Sequence, residues 1–144
     1  MSISIGKRAA KLLTTAGVTI GLVLTVGAGT AAAGPSNVDF SVSAQQSDGS
    51  RSAVIYHNGR AVGSAYWRAT GDELEAVDVY GDGYGISAYL STSPVRVADT
   101  LGHSAPYTKT VGGNLTENRP YTFWVCIGNN SSGLTCSNTY SVTS

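Results

Sequence analysis

Histidine, methionine, phenylalanine and charge are all scarce in this chain, and each shortage removes a class of function. Of 144 residues only 12% are charged, and there are two His, one Met and two Phe. No G-x-S-x-G elbow, H-E-x-x-H pair or phosphate-cradling glycine loop occurs, so no nucleophile–base or metalloprotease arrangement is recognisable. Asp99 and His103 can be joined to one of many serines, and Glu75 to Asp78 as an acid pair. Neither combination has a spacing that constrains a site. An enzyme is therefore not expected.

Residues 34–144 hold six basic side chains (Arg51, Arg60, Arg68, Arg96, Lys109 and Arg119) against nine acidic ones, a net charge of −3. The arginines are scattered. No basic stripe invites nucleic acid, and no basic amphipathic helix invites a membrane surface, so neither partner is expected.

The first 33 residues read as a secretory leader. Lys7, Arg8 and Lys11 precede an apolar stretch from about Leu12 to Ala28, and Ala31-Ala32-Ala33 offers an A-x-A cleavage site before Gly34-Pro35. Gly17, Gly21 and Gly27 dilute the run too much for a good membrane anchor. No Cys follows it for lipid attachment, and no twin Arg precedes it. The expectation is a secreted, extracellular domain spanning residues 34–144.

In that oxidising setting Cys126 and Cys136 are expected to form one structural disulfide, since they lack C-x-x-C spacing and no other ligand cluster accompanies them. Placed across a hairpin, the bridge sets Ile127 opposite Thr135 and Gly128 opposite Leu134, with Asn129–Gly133 as the loop.

Residues 34–144 have no helical periodicity over ten residues. Short runs rich in Val, Ile, Thr and Tyr alternate with Gly, Asn, Asp and Ser, which predicts strands. The expected strands are 38–44, 52–57, 61–68, 73–80, 84–91, 95–98, 107–111, 121–128 and 134–142. Asn58-Gly59 is a two-residue type I′ hairpin signal. Gly81-Asp82-Gly83 reads as a longer turn joining 73–80 to 84–91. The whole reads as an all-β antiparallel β-sandwich or barrel.

Leu115 lies six residues before Tyr121, which opens a strand alternating Tyr121, Phe123, Val125 and Ile127. This step resembles the entry to strand F of fibronectin type III and related immunoglobulin-like domains. The resemblance implies an immunoglobulin-like sandwich with 84–91 as strand C, 134–142 as strand G, and a Tyr121 hydroxyl bonded back to the corner backbone. A second stretch, Gly71-Asp72, Asp78 and Asp82-Gly83, resembles the G-D-x(5)-D-x(3)-D-G hairpin of small secreted actinobacterial proteins. That likeness implies export and a β fold, and no activity.

Two groups of residues could still carry function. Asp72, Glu73, Glu75, Asp78 and Asp82 crowd together, and Asp78 and Asp82 are the candidate ligands for calcium at the turn. Alternation sends Glu73 and Glu75 to the other face. A solvated strand edge with an Asp-Gly turn is therefore preferred, and no cofactor is expected. The second group is aromatic. If Phe123 and Val125 point inward, Trp124 points outward with Cys126. Tyr89 and Tyr140 fall on the same outer face by the same parity, giving a candidate ligand-binding surface. The expected role is non-catalytic binding of a carbohydrate or an extracellular protein. A small inhibitor of a secreted enzyme is the alternative, and a hydrolase with an unrecognised site a third.

Overall fold

The computed structural model describes residues 33–144, so the expected leader, apart from Ala33, lies outside the described residues. These residues form ten strands: β1 (Val38–Val42), β2 (Arg51–His57), β3 (Arg60–Arg68), β4 (Glu73–Asp78), β5 (Gly85–Leu90), β6 (Arg96–Asp99), β7 (Tyr107–Val111), β8 (Pro120–Asn129), β9 (Gly133–Cys136) and β10 (Tyr140–Thr143). No helix occurs among the described residues. Five strands make one antiparallel sheet in the order β1-β2-β3-β4-β7. The other runs β10-β8-β5-β6, with β9 also paired to β8.

The two sheets face each other across one core because each strand alternates. Ile86, Ala88 and Leu90 of β5 and Phe123, Val125 and Ile127 of β8 point in from one sheet. Ile55 of β2, Ala65 and Trp67 of β3, and Leu74 and Ala76 of β4 point in from the other. Full burial of each large side chain contributes about 1.5–3 kcal/mol, so Trp67 and Phe123 anchor the sandwich. Trp67 also crosses it: its indole Nε1–H donates to the Thr143 carbonyl at 2.9 Å, joining β3 to β10. The sheets approach closely at Gly63, where a Cβ would run into the Ile86 side chain.

The β2–β3 hairpin forms as its sequence predicts. Asn58 and Gly59 both have positive φ (52° and 76°), and His57 pairs with Arg60. Three expectations fail. Residues 73–80 and 84–91 are not partners across a turn: β4 pairs with β3 and β7, whereas β5 pairs with β6 and β8. The Gly81-Asp82-Gly83 segment carries the chain between sheets. Its Asp residues serve this crossing locally, since Asp78 accepts the Tyr80 N–H (3.1 Å) and Asp82 accepts the Tyr84 N–H (3.1 Å).

The expected strand 134–142 is broken in two. Cys136 pairs with Cys126, but Tyr140 pairs with Phe123, so four steps on one chain match three on the other. Ser137 makes this bulge. Its N–H donates to the Val125 carbonyl (2.8 Å) while its hydroxyl receives the Val125 N–H (3.1 Å), replacing a ladder carbonyl. Tyr121 packs against the core only half-buried. No hydrogen bond to its hydroxyl forms among the described residues, against the corner bond expected of it.

Candidate functional site

The outer face of the β6-β5-β8 sheet is built from residues that alternation turns away from the core. Tyr89 on β5 lies directly across from Trp124 on β8, and Val97 on β6 lies across from Tyr89. The Tyr89 and Trp124 rings stack nearly parallel, with centroids 5.0 Å apart and planes 4° apart. Each ring therefore covers one face of its neighbour, and the pair stands as a ridge on the sheet. Val95, Val97 and Leu134 are exposed on the same side, giving the ridge an apolar border.

The disulfide between Cys126 and Cys136 flanks the ridge, with Ile127 opposite Thr135 and Gly128 opposite Leu134 as the hairpin spacing predicts. Beneath it Ser87, paired with Cys126, is fully buried and donates its hydroxyl hydrogen to Asp99 (3.1 Å). Gly128 is required here, because a Cβ would collide with the Gly133 carbonyl.

Tyr140 does not join this surface. The Ser137 bulge inverts the parity of everything after it, so Tyr140 sits opposite the buried Phe123 and turns toward the core side. There the Arg51 guanidinium lies 5.2 Å from its ring centroid, closing the sandwich between β2 and β10.

The two acidic residues considered as calcium ligands part company. Asp78 ends β4 on its inward face, in line with Leu74 and Ala76, and is only 3% exposed. Burial pushes its carboxyl above the usual range, and the Asp82 charge adds to the shift. Asp82 turns instead to the β2–β3 hairpin, where its Oδ2 lies 2.9 Å from His57 Nδ1. Glu75 points to the opposite face of β4 and pairs with Arg68 at 2.9 Å. Among the described residues no group of three or more His, Cys, Asp or Glu side chains gathers as a metal site.

The His57–Asp82 contact joins residues 25 apart and has no sequence signature. A directed chain orders it: the Asn37 amide donates to Asn58 Oδ1 (3.2 Å), and the Asn58 amide reaches His57 Nε2 (3.1 Å). Nε2 must then accept, leaving the proton on Nδ1 facing Asp82. Nε2, the atom a general base would use, is taken up by Asn58.

Beside this chain a cleft of about 540 Å³ opens at one end of the sandwich. Three connections enclose it: residues 79–84 between β4 and β5, 100–106 between β6 and β7, and 130–132 between β8 and β9. Asp78 and Gly85 lie at its base, and Tyr84, His103 and Asn130 line it. The Asn129 amide donates to the Gly83 carbonyl (3.2 Å) and its Oδ1 accepts the Ser131 and Ser132 N–H groups, tying two of the three connections together. No sequence argument could find this cleft, because its walls come from connections far apart in the chain. No protein-family model, curated protein or solved structure matches this chain.

Proposed function

We propose that this chain is a secreted, non-catalytic binding domain of immunoglobulin-like, fibronectin type III-like architecture, and that its Tyr89–Trp124 face engages an extracellular protein. The architecture reading draws on strand order. β5, β8 and β9–β10 run side by side as strands C, F and G do, and β4 lies beside β7 as B lies beside E. β1 and β2 are then an addition at the free edge of β3.

The single observation carrying the functional reading is the stacked pair at 5.0 Å, set among exposed Val95, Val97 and Leu134 beside a disulfide. Large rings and aliphatic side chains on a rigid sheet are what protein interfaces use as anchors. A carbohydrate platform needs open ring faces, and mutual stacking has used one face of each ring. That tips the choice toward a protein partner.

The test is retention. The exported protein is immobilised, and culture-medium proteins, cell-envelope proteins and a panel of polysaccharides are passed over it. Proteins retained by the wild type and released by Trp124→Ala, but still held by Arg68→Ala, are the expected outcome. Polysaccharide retention that survives Tyr89→Ala and Trp124→Ala would remove the reading. Export is checked separately by intact mass, which should place the mature N-terminus at or near Gly34.

A further inference from the structure

The inward series on β4, Leu74, Ala76 and Asp78, changes from apolar to acidic at the position that borders the loop-end cleft. Asp78 Oδ1 accepts the Tyr80 N–H, whereas Oδ2 accepts no hydrogen bond among the described residues and keeps access to the cleft that Asp78 lines. A carboxylate only 3% exposed, with its one open oxygen on the cleft, is best stabilised by a positive donor placed in that cleft.

None of the surrounding side chains supplies that donor. Among the described residues no Lys or Arg lines the cleft. His57 is committed to Asp82 and Asn58. Arg60 lies over the Tyr80 ring, 3.7 Å from its centroid. His103 is exposed and stacks on Tyr107 at 3.9 Å. Holding the Tyr80 N–H does not require charge, because an Asn oxygen at the same position would accept it equally well.

We propose that the cleft is a binding site for a ligand bearing a cationic nitrogen, an ammonium or guanidinium group, with Asp78 as its charged anchor. The volume suits a small molecule or one side chain of a larger one. Tyr84 adds an aromatic ring that favours a cation. Asn130 and Ser131 at the rim supply uncharged hydrogen-bonding groups. A divalent metal is the poorer fit, because Asp82 is turned away to His57 and, among the described residues, no group of three or more acidic, imidazole or thiol ligands gathers around Asp78. This site is separate from the Tyr89–Trp124 face and does not depend on it.

The experiment follows the Asp78 side-chain carboxyl resonance by NMR in the exported protein. Four probes are titrated: D-glucosamine, Nα-acetyl-lysine N-methylamide, Nα-acetyl-arginine N-methylamide and calcium chloride. N-acetyl-D-glucosamine is the uncharged control. Saturable binding of a cationic organic probe that moves the Asp78 signal is expected, and the best probe tells amino sugar from basic side chain. Asp78→Asn should weaken that binding by about tenfold or more, the scale of one charge-assisted hydrogen bond. Glu75→Gln removes the same charge from the far face and should leave binding unchanged. Equal binding of the uncharged control, saturation by calcium alone, no response to any cation, or full binding by a folded Asp78→Asn protein would each overturn the proposal. If Asp78→Asn does not fold, the wild-type carboxyl titration still decides.

Discussion

The two outer faces of this sandwich are made by the same alternation and yet are chemically opposite. On the face of the β1-β2-β3-β4-β7 sheet, Arg68 pairs with Glu75, Thr110 donates to the other Glu75 oxygen (3.1 Å), and the Arg68 guanidinium lies 5.1 Å from the Tyr66 ring. Arg68, Glu75 and Tyr66 there are each engaged by a charged or polar neighbour. On the opposite face Tyr89 and Trp124 satisfy each other and are bordered by exposed valines and a leucine. A polar network gains little from further burial, because its partners are already in place. An apolar ridge still has surface to remove from water. The proposed binding is therefore placed on the Tyr89–Trp124 face.

The largest expected effect lies in the hairpin that holds the apolar face. Replacing Cys126 and Cys136 together by Ser should cost about 2–3 kcal/mol in denaturant unfolding, through the freed loop of the unfolded chain. A loss well below that would mean that the β8–β9 hairpin holds itself without the bridge.

Next come the paired cycles. A Tyr89/Trp124 double-mutant cycle to Ala should return a coupling of about 0.5–1.5 kcal/mol, the range for stacked rings. The matching Arg68/Glu75 cycle should return less, within about 0–1 kcal/mol for a pair open to solvent. Equal couplings would blur the contrast between the faces.

β4 allows the same contrast within one strand, because its two carboxyls shift in opposite directions. The Arg68 hydrogen bond holds Glu75 below the usual range, so its contribution to stability is present above the unfolded-state pKa. That contribution is lost as pH falls through the lower folded value. Burial holds Asp78 above its usual range, so ionisation disfavours the folded state at neutral pH, and the penalty fades as the medium is acidified. Asp82, His57, His103 and Tyr107 also surround that end of β4. Asp78→Asn should therefore raise the melting temperature at pH 7 and leave it unchanged near pH 3. Glu75→Gln should lower it slightly at pH 7. Equal signs for the two variants would contradict the placement of these groups on opposite faces.

Much of this was legible where the signal is local. Asn58-Gly59 dictates its turn because both residues tolerate positive φ, and the odd offset from Tyr121 to Cys126 puts the cysteine outside with Trp124. Parity also brought Tyr89 to Trp124, since β5 and β8 pair without a break. It misled at Tyr140 because it assumes unbroken alternation. The consecutive polar residues Ser137, Asn138 and Thr139 were the available sign of a bulge. Gly81-Asp82-Gly83 misled for another reason. Turn chemistry tells how a chain bends, whereas the sheet it rejoins is decided by distant strands. His57–Asp82 and the cleft are products of that crossing and have no local signature.

Hydroxyl-radical footprinting of the protein with and without its captured protein partner tests the central claim most directly, because each outer face carries its own aromatic reporter. Binding should protect Trp124 and Tyr89 and leave Tyr66 as reactive as in the free domain. Protection of Tyr66 with Trp124 and Tyr89 unchanged would contradict the assignment of the apolar face as the binding surface.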